Sequence, residues 1–415
     1  MKQERNLCTP FRRAAVLIAT ALIAMILVLS LGSCELLGGG DLGDLISPET
    51  TAATTTVKPS SGDSAPAAPL TQPISFTQGT SPTIPSEAGT YAYVAEVASP
   101  SVVSILTEAI VYDRFNGSYV QSGAGSGVVC HVDTARGCTY IITNNHVVEG
   151  YSSVSVYKEG SKTEYPAEII GTDWQTDLAV ISVSTTDFVA ASFGYSSALK
   201  VGQEVAAIGN PLGTLGGTVT NGIIGALERE IEVEGVTMSL VQHSAPVSPG
   251  NSGGGLFNLY GQLIGIVNAK STGTGVEGLG YAIPIDLALE RVGQIMEKGY
   301  VSGTPFLGIT YGTSSNGVYV TSYAYNPELE ASGQQTLQNG DILYSLNGET
   351  ISEVADVRKV LSEVQVGDRI EAVIYRANRF NYVPFTVTLT VHEYVPDWAD
   401  TVPSPGGDTG DMEFN

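Results

Sequence analysis

The spacing of apolar residues between about Tyr91 and Ile283 limits the fold of this chain more than any other feature. They come in short runs, among them Gly127-Val128-Val129, Tyr140-Ile141-Ile142, Leu178-Ala179-Val180-Ile181, Val205-Ala206-Ala207-Ile208 and Leu263-Ile264-Gly265-Ile266-Val267, bounded by Gly, Asn, Asp or Pro. Short apolar runs between turn formers read as β-strands. No helices of ten residues or more alternate with them, which favours an antiparallel barrel or sandwich and disfavours a doubly wound α/β sheet. The 48 glycines and a hydrophobic fraction of 43% suit such a turn-rich β protein.

After Ile283 the period changes. From Ile285 to Lys298, Leu287, Leu289, Val292, Ile295 and Met296 fall roughly on one helical face, and Gly299 stands where a helix stops. That helix is expected to close a first domain. From Phe306 to about Val395, strands alternate with one amphipathic helix whose stripe is Val354, Val357, Val360, Leu361 and Val364, with Ser352 as candidate cap. A length of 415 residues accommodates two domains plus non-globular ends. The expected divisions are a signal segment 1–33, a linker 34–90 rich in Thr, Ser, Pro and Gly, a first domain 91–300, a second 301–395 and an acidic tail 396–415. Linker and tail carry too little apolar area to offset chain entropy, so both are expected to be disordered.

Lys2, Arg5, Arg12 and Arg13 precede an uncharged stretch from Ala14 to Leu31 that ends in Leu31-Gly32-Ser33-Cys34, the pattern of an export signal. Leu, two small residues and Cys resemble the lipobox of bacterial lipoproteins, which implies a lipid on the sulfur of Cys34. An uncleaved transmembrane helix is the alternative. Either anchor places everything after Cys34 on the outer face of a bacterial cytoplasmic membrane. Acidic residues exceed basic ones by 42 to 19, a field that repels phosphate backbones, so no nucleic-acid partner is expected. Cys130 and Cys138 flank an expected turn, His131 to Gly137, and in an oxidising compartment they could form a disulfide contributing roughly 2–3 kcal/mol. His131 beside Cys130 lacks further ligands at a zinc-site spacing, so no metal or other cofactor is expected.

Gly250-Asn251-Ser252-Gly253-Gly254 satisfies G-x-S-x-G, a weak match alone in so glycine-rich a chain. A serine nucleophile needs a base, a group that orients the base, and N–H donors for the oxyanion. Glycines beside the serine let the Gly250 and Ser252 amides converge on one small pocket. The candidate bases are His131, His146, His243 and His392. An α/β-hydrolase order, Ser then acid then His, would leave only His392 and would require a parallel sheet. The order His, Asp, Ser is that of a chymotrypsin-type double barrel and selects His146 or His131.

Thr143-Asn144-Asn145-His146-Val147-Val148, Thr176-Asp177-Leu178-Ala179-Val180 and Pro249-Gly250-Asn251-Ser252-Gly253-Gly254 resemble the three catalytic segments of the HtrA/Deg serine proteases. The likeness extends to residues 94–105, Gly125-Ser126-Gly127, Ile208-Gly209-Asn210-Pro211, residues 218–223 and Tyr281-Ala282-Ile283-Pro284-Ile285. It implies a chymotrypsin-like double β-barrel with His146 as general base, Asp177 as its carboxylate partner, Ser252 as nucleophile, and the Gly250 and Ser252 amides as oxyanion hole. Asp173 lies near Asp177 but does not directly precede the apolar strand as the motif requires. His131 and His243 are read as turn residues. One departure precedes the nucleophile: Gln242-His243-Ser244-Ala245-Pro246-Val247 stands where the family often has Gln-Thr-Asp-Ala-Ala-Ile. That stretch bears on specificity and activation, and a small aliphatic residue before the scissile bond is expected.

Phe306-Leu307-Gly308-Ile309, followed by Asn339-Gly340-Asp341-Ile342-Leu343 and Leu346-Asn347-Gly348, resembles the carboxylate-binding loop and Gly-Asp turn of bacterial PDZ domains, an α+β fold. A loop of backbone N–H groups can hold a C-terminal carboxylate while the peptide adds as a strand between Ile309 and the helix bearing Val354 and Val357. Together these features imply an exported, ATP-independent endopeptidase acting on unfolded proteins, with C-terminal peptides as a second class of partner; the family resemblance alone implies a homo-oligomer, a trimer, as its assembly. The alternative is a proteolytically weak chaperone or peptide-binding scaffold.

Overall fold

The computed structural model describes residues 76, 78, 88–113, 117–209, 217–248, 250–269, 279–314, 316–323, 336–378 and 381–396. The expected signal and Cys34, and the tail beyond residue 396, lie outside these. Among the described residues no helix is long and apolar enough to cross a membrane.

The short apolar runs are strands. β1 (Val102–Asp113), β2 (Gly117–Asp133), β3 (Cys138–Thr143), β4 (Ser153–Lys158), β5 (Tyr165–Asp173) and β6 (Leu178–Val183) close an antiparallel barrel in the order β1-β2-β3-β6-β5-β4. A second sheet holds β7 (Ser192–Phe193), β8 (Glu204–Gly209), β9 (Thr218–Val233), β10 (Val236–His243), β11 (Gly255–Asn258), β12 (Gln262–Val267) and β13 (Gly280–Pro284). Its order is β11-β8-β9-β10-β13-β12-β7, and an added β11–β12 pairing closes all but β7 into a ring. The fold is therefore mainly β, a trypsin-like double barrel.

The runs are continuous rather than alternating because both faces of the strands are buried. Ile141, Ala179 and Ile181 point into the first barrel, while Ile142, Leu178 and Val180 join a shared core between the barrels. Val205 and Ala207 fill the second barrel, and Ala206 and Ile208 face the shared core. Alternation marks a sheet with one wet face; it disappears when both are dry.

Two helices pack on this shared core. α1 (Tyr91–Ala98), in a region read as strands, starts at Thr90, whose Oγ1 accepts the Tyr93 N–H at 3.1 Å, and buries Val94 and Ala98. Two successive Ala-containing turns and the Thr cap are local helix signals that the surrounding β-pattern obscured. Between α1 and the second barrel's closing helix lies a single turn, α2 (Asn145–Val148). α3 (Ile285–Lys298) has the expected bounds, and Gly299 ends it at φ 84°, its N–H returning to the Ile295 carbonyl at 2.7 Å. The helix buries Ile285, Ala288, Leu289, Val292, Ile295 and Met296, the larger ones contributing about 1.5–3 kcal/mol each. Part of the expected linker is also placed: Phe76 packs edge-on against Phe193, ring centroids 5.6 Å apart, and Gln78 bonds Gly194 and Asp286.

Beyond Gly299 a second module has its own core. It contains β14 (Pro305–Phe306), β15 (Ile309–Ser314), β16 (Gly317–Tyr323), β17 (Ile342–Leu346), β18 (Glu349–Thr350), α4 (Val354–Ser362), β19 (Arg369–Ala377), β20 (Tyr382–Thr390) and β21 (His392–Glu393). Its main sheet runs β15-β16-β17-β19-β20, with β18 beside β17, and β15 lies at the edge. Val357, Val360 and Leu361 of α4 pack on Ile309, Leu343, Ile374 and Val387. The cap of α4 is Glu353, not Ser352: the Glu353 side chain and Asp356 form a capping box, and Asp356 Oδ2 also accepts the Ser352 N–H at 2.8 Å.

The candidate disulfide is not formed, and Cys130 and Cys138 are free thiols. β2 runs on to Asp133, so the turn is shorter than expected and Asp133, not Cys130, faces Cys138 across the ladder. Cys130 sits at a bulge, buried, its Sγ 3.3 Å from the Tyr140 carbonyl. Burial pushes that thiol up to about 12, which keeps it protonated and unreactive.

Candidate active site

β3 delivers Asn144 and then α2, which carries His146. The backbone N–H of His146 donates to Asp177 Oδ1 at 2.9 Å, and ring Nδ1 lies 2.7 Å from Asp177 Oδ2. A carboxylate only accepts, so Nδ1 carries the proton and Nε2 is left as the basic nitrogen. Asp177 sits at the turn into β6 with φ 53°, in the left-handed region. Its carbonyl accepts from Asn144 Nδ2 at 2.9 Å and from the Asn145 N–H at 3.1 Å, and those two bonds help hold an unfavourable backbone in place. A further donor, Asn268 Nδ2 at the end of β12, lies 2.9 Å from Asp177 Oδ2.

Ser252 comes from the other barrel, on the turn entering β11. Gly250 has φ 97° and Gly253 φ 81°. A Cβ on Gly253 would strike the Ser126 carbonyl and the Thr143 side chain, so only glycine lets the turn press against the first barrel. The barrels are stitched there. Ser126 N–H donates to the Ser252 carbonyl at 2.8 Å, Ser126 Oγ to the Gly250 carbonyl at 2.6 Å, and Thr143 Oγ1 to the Ser126 carbonyl at 2.7 Å. The amides of Asn251, Gly253 and Gly254 donate to Ser248, Val267 and Asn251. Those of Gly250 and Ser252 have no protein acceptor among the described residues, as donors reserved for an oxyanion require.

His146, Ser252 and Gly250 line one cleft of 290 Å³ with Gly123, Ala124 and Tyr151. Among the described residues none bonds Ser252 Oγ, so the contact between nucleophile and base is one for a substrate complex to close.

The structure brings His146, Asp177, Gly250 and Ser252 together and leaves the other candidates elsewhere. Asp173 is buried, bonds Thr176 Oγ1 at 2.6 Å, and burial raises its carboxyl above the usual range. His131 lies on β2 rather than in a turn, its ring 6.2 Å from that of Tyr140. His243 is no turn residue either: it ends β10, is 1% exposed, and burial lowers its imidazole to about 4. His392 pairs with Phe306 in the second module. The divergent stretch before the nucleophile is anchored on β9, with Ser244 Oγ accepting the Ile223 N–H at 2.9 Å and Thr220 Oγ1 donating to the Pro246 carbonyl at 2.7 Å. In the second module Leu307 and Ile309 enter the core, Gly308 has φ 70°, and Phe306 stacks edge-on with Tyr394, centroids 5.6 Å apart.

Sequence reasoning missed Asn268 and gave no role to Ser126 and Thr143, although both stand in segments that carry the family resemblance. A second signal was polarity: each is a buried polar residue at or near the end of an apolar run, where a hydrogen-bond partner is required.

A family model described as a trypsin-like peptidase domain matches residues 125–266. "Serine protease Do-like HtrB" of Bacillus subtilis (strain 168) is 38% identical over 289 residues, 63% of this chain and 62% of the relative. "Serine protease Do-like HtrA" of Lactobacillus helveticus is 34% identical over 285 residues, 63% of this chain and 67% of the relative. A "Probable periplasmic serine endoprotease DegP-like" protein of Halomonas elongata is 34% identical over 297 residues, 69% of this chain and 59% of the relative. The chain thus spans about three fifths of the length of the Bacillus and Halomonas relatives.

Proposed function

We propose, from the premise that the chain belongs to the HtrA family of trypsin-like serine proteases, that it is a serine endopeptidase with Ser252 as nucleophile, His146 as general base and Asp177 as orienting carboxylate. The observation that carries the reading is the Asp177 carboxylate taking both the backbone N–H and the ring Nδ1–H of His146, at 2.9 and 2.7 Å, beside the cleft that holds Ser252.

With Nδ1 committed to Asp177, Nε2 takes the Ser252 proton as Oγ bonds to the scissile carbonyl carbon. The carbonyl π electrons move to oxygen, and the Gly250 and Ser252 amides receive that oxyanion; loss of one such donor typically costs about 3 kcal/mol of transition-state stabilisation. Collapse expels the amine, which leaves with the proton from Nε2, and an acyl ester remains on Ser252. Water, deprotonated by the same nitrogen, cleaves the ester and restores the hydroxyl.

The second module acts in this reading as a PDZ domain. Edge strand β15 beside α4, and a positive φ at Gly308 in the preceding loop, suit strand addition by a peptide whose terminal carboxylate meets backbone N–H groups. The export pattern ending at Cys34, together with a relative described as periplasmic, supports a site outside the cytoplasm, on an N-terminal anchor; unfolded exported proteins as substrates and a homotrimer as the assembly are carried over from the family resemblance alone.

Incubation of the full chain with unfolded casein tests the core of this reading. Wild type is expected to yield fragments and to label with a fluorophosphonate, and Ser252→Ala to do neither. Equal degradation by the two proteins would sink it.

A further inference from the structure

Arg358 is the outward neighbour of the α4 core stripe, yet it is only 6% exposed. Its guanidinium leaves its own module and reaches the double barrel, Nη1 to Glu234 Oε2 at 2.6 Å and Nη2 to Glu149 Oε1 at 2.5 Å. A buried cation is tolerated only when paired, so both carboxylates are part of the reason α4 rests where it does. Glu234 lies in the β9–β10 turn at φ 50°, and a Cβ on the following Gly235 would strike the Ala355 carbonyl of α4.

Glu149 differs from Glu234 in what lies behind it. It is the C-cap of α2, the turn that carries His146, and its N–H donates to the Asn145 carbonyl at 2.8 Å. Its other oxygen accepts from Asn145 Nδ2 at 3.2 Å, and the Asn145 N–H in turn donates to the Asp177 carbonyl at 3.1 Å. Trp174, three residues before Asp177, packs against both the shared barrel core and the core of the second module. The second module therefore touches both segments that present the His146–Asp177 pair.

We infer that Arg358 is a positioning residue for the base: through Glu149 it tethers the helical turn bearing His146, so that the docked second module holds the base in register with Asp177. This rests on the protease reading for its kinetic consequence, though not for the geometry. The guanidinium has two partners, so the roles separate. Glu149→Ala leaves the Arg358–Glu234 pair to hold the modules together and cuts only the tether. Glu234→Ala leaves the tether and weakens only the docking.

The test compares kcat and KM on a fluorogenic peptide for the full chain and its variants. Glu149→Ala and Arg358→Met should each lower kcat about 10-fold with KM nearly unchanged, the mark of a lost catalytic alignment rather than lost binding. Glu234→Ala should stay near wild type, and Arg358→Lys, which keeps the charge but not the fork, should recover part of the loss. In parallel, the low-field proton resonance of the imidazole shared with Asp177 is recorded in a Ser252→Ala chain. It should broaden or shift when Glu149→Ala is added. Glu149 is half-exposed, so its variant remains informative even if Arg358→Met does not fold. Wild-type kcat and an unmoved resonance in Glu149→Ala overturn the proposal, and so does an equal loss in Glu234→Ala, which would mean docking alone matters. Absence of any hydrolysis by wild type counts against the protease reading, while the resonance still decides the tether.

Discussion

Two oxygens of Asp177 accept three hydrogen bonds, from the His146 backbone, the His146 ring and Asn268, so the buried carboxylate is fully partnered. His243 is the opposite case, a buried imidazole whose two nitrogens have no well-formed hydrogen bond among the described residues. Burial lowers it from 6.5 to about 4, and the nearby backbone of Ala245 and Tyr281 offsets only part of that. Above pH 6.5 folded and unfolded chains are both neutral at this residue, and its contribution to stability is complete. Between 6.5 and 4 the unfolded chain takes up a proton that the folded one refuses, so stability falls as pH falls, by up to about 1.4 kcal/mol per pH unit. At pH 5 the loss should reach about 2 kcal/mol. Urea midpoints at pH 7 and pH 5 should therefore draw together in His243→Asn relative to wild type; parallel shifts in both proteins would refute the assignment. At this scale the sequence was legible where chemistry forces a residue type next to a fixed neighbour, as at His146, Asp177 and Ser252. It was silent on Asn268, which lies 91 residues from the carboxylate it serves, and misleading on His243, whose polar label hid a core position.

Elements were legible where a local rule had no rival. α3 follows its apolar stripe and its Gly299 stop. α1 was hidden because eight residues with a single cap stand beside a long β-pattern, and the cap of α4 shifted by one residue because a reciprocal Glu353–Asp356 box outcompetes a lone serine. The Gly-Asp turn of the second module shows both sides of this. Gly340 at φ 90° explains the glycine, while the reason for Asp341 is distant. Its carboxylate, 2% exposed, accepts from Nε and Nη2 of Arg376 at 2.8 and 2.7 Å and from the Gln338 N–H at 2.8 Å. This pins the turn before β17 to β19. Asp341→Ala would leave Arg376, itself partly exposed, without its carboxylate and Gln338 without its acceptor, a loss on the order of 1–3 kcal/mol. Chemical denaturation followed by far-UV circular dichroism should show the second module unfolding at much lower urea while Ser252 still labels with fluorophosphonate. A variant within about 0.5 kcal/mol of wild type would mean that the pair is solvated and adds little.

For the molecule as a whole, the barrels share one core through α1 and α3, whereas the second module keeps its apolar side chains to itself. What joins them, among the described residues, is a short chain segment after Gly299, the Arg358 ion pairs, the Gly235 turn against the Ala355 carbonyl, and Trp174. An interface held by so few groups should open before either core melts, so unfolding should not be a single transition. Trp174 is placed to report this, since it packs against both cores. The sequence contains one other tryptophan, Trp398; Trp398→Phe would leave the emission to Trp174. Opening exposes that indole while the barrels remain intact, so its emission should shift to longer wavelength at a lower urea concentration than the loss of far-UV circular dichroism. Arg358→Met, which strands Glu149 and Glu234 without their shared cation, should move the fluorescence midpoint further down and leave the main barrel transition in place. If fluorescence and circular dichroism coincide in both proteins, the two modules unfold as one cooperative unit, and the barrels depend on the second module for more than the placement of one helical turn.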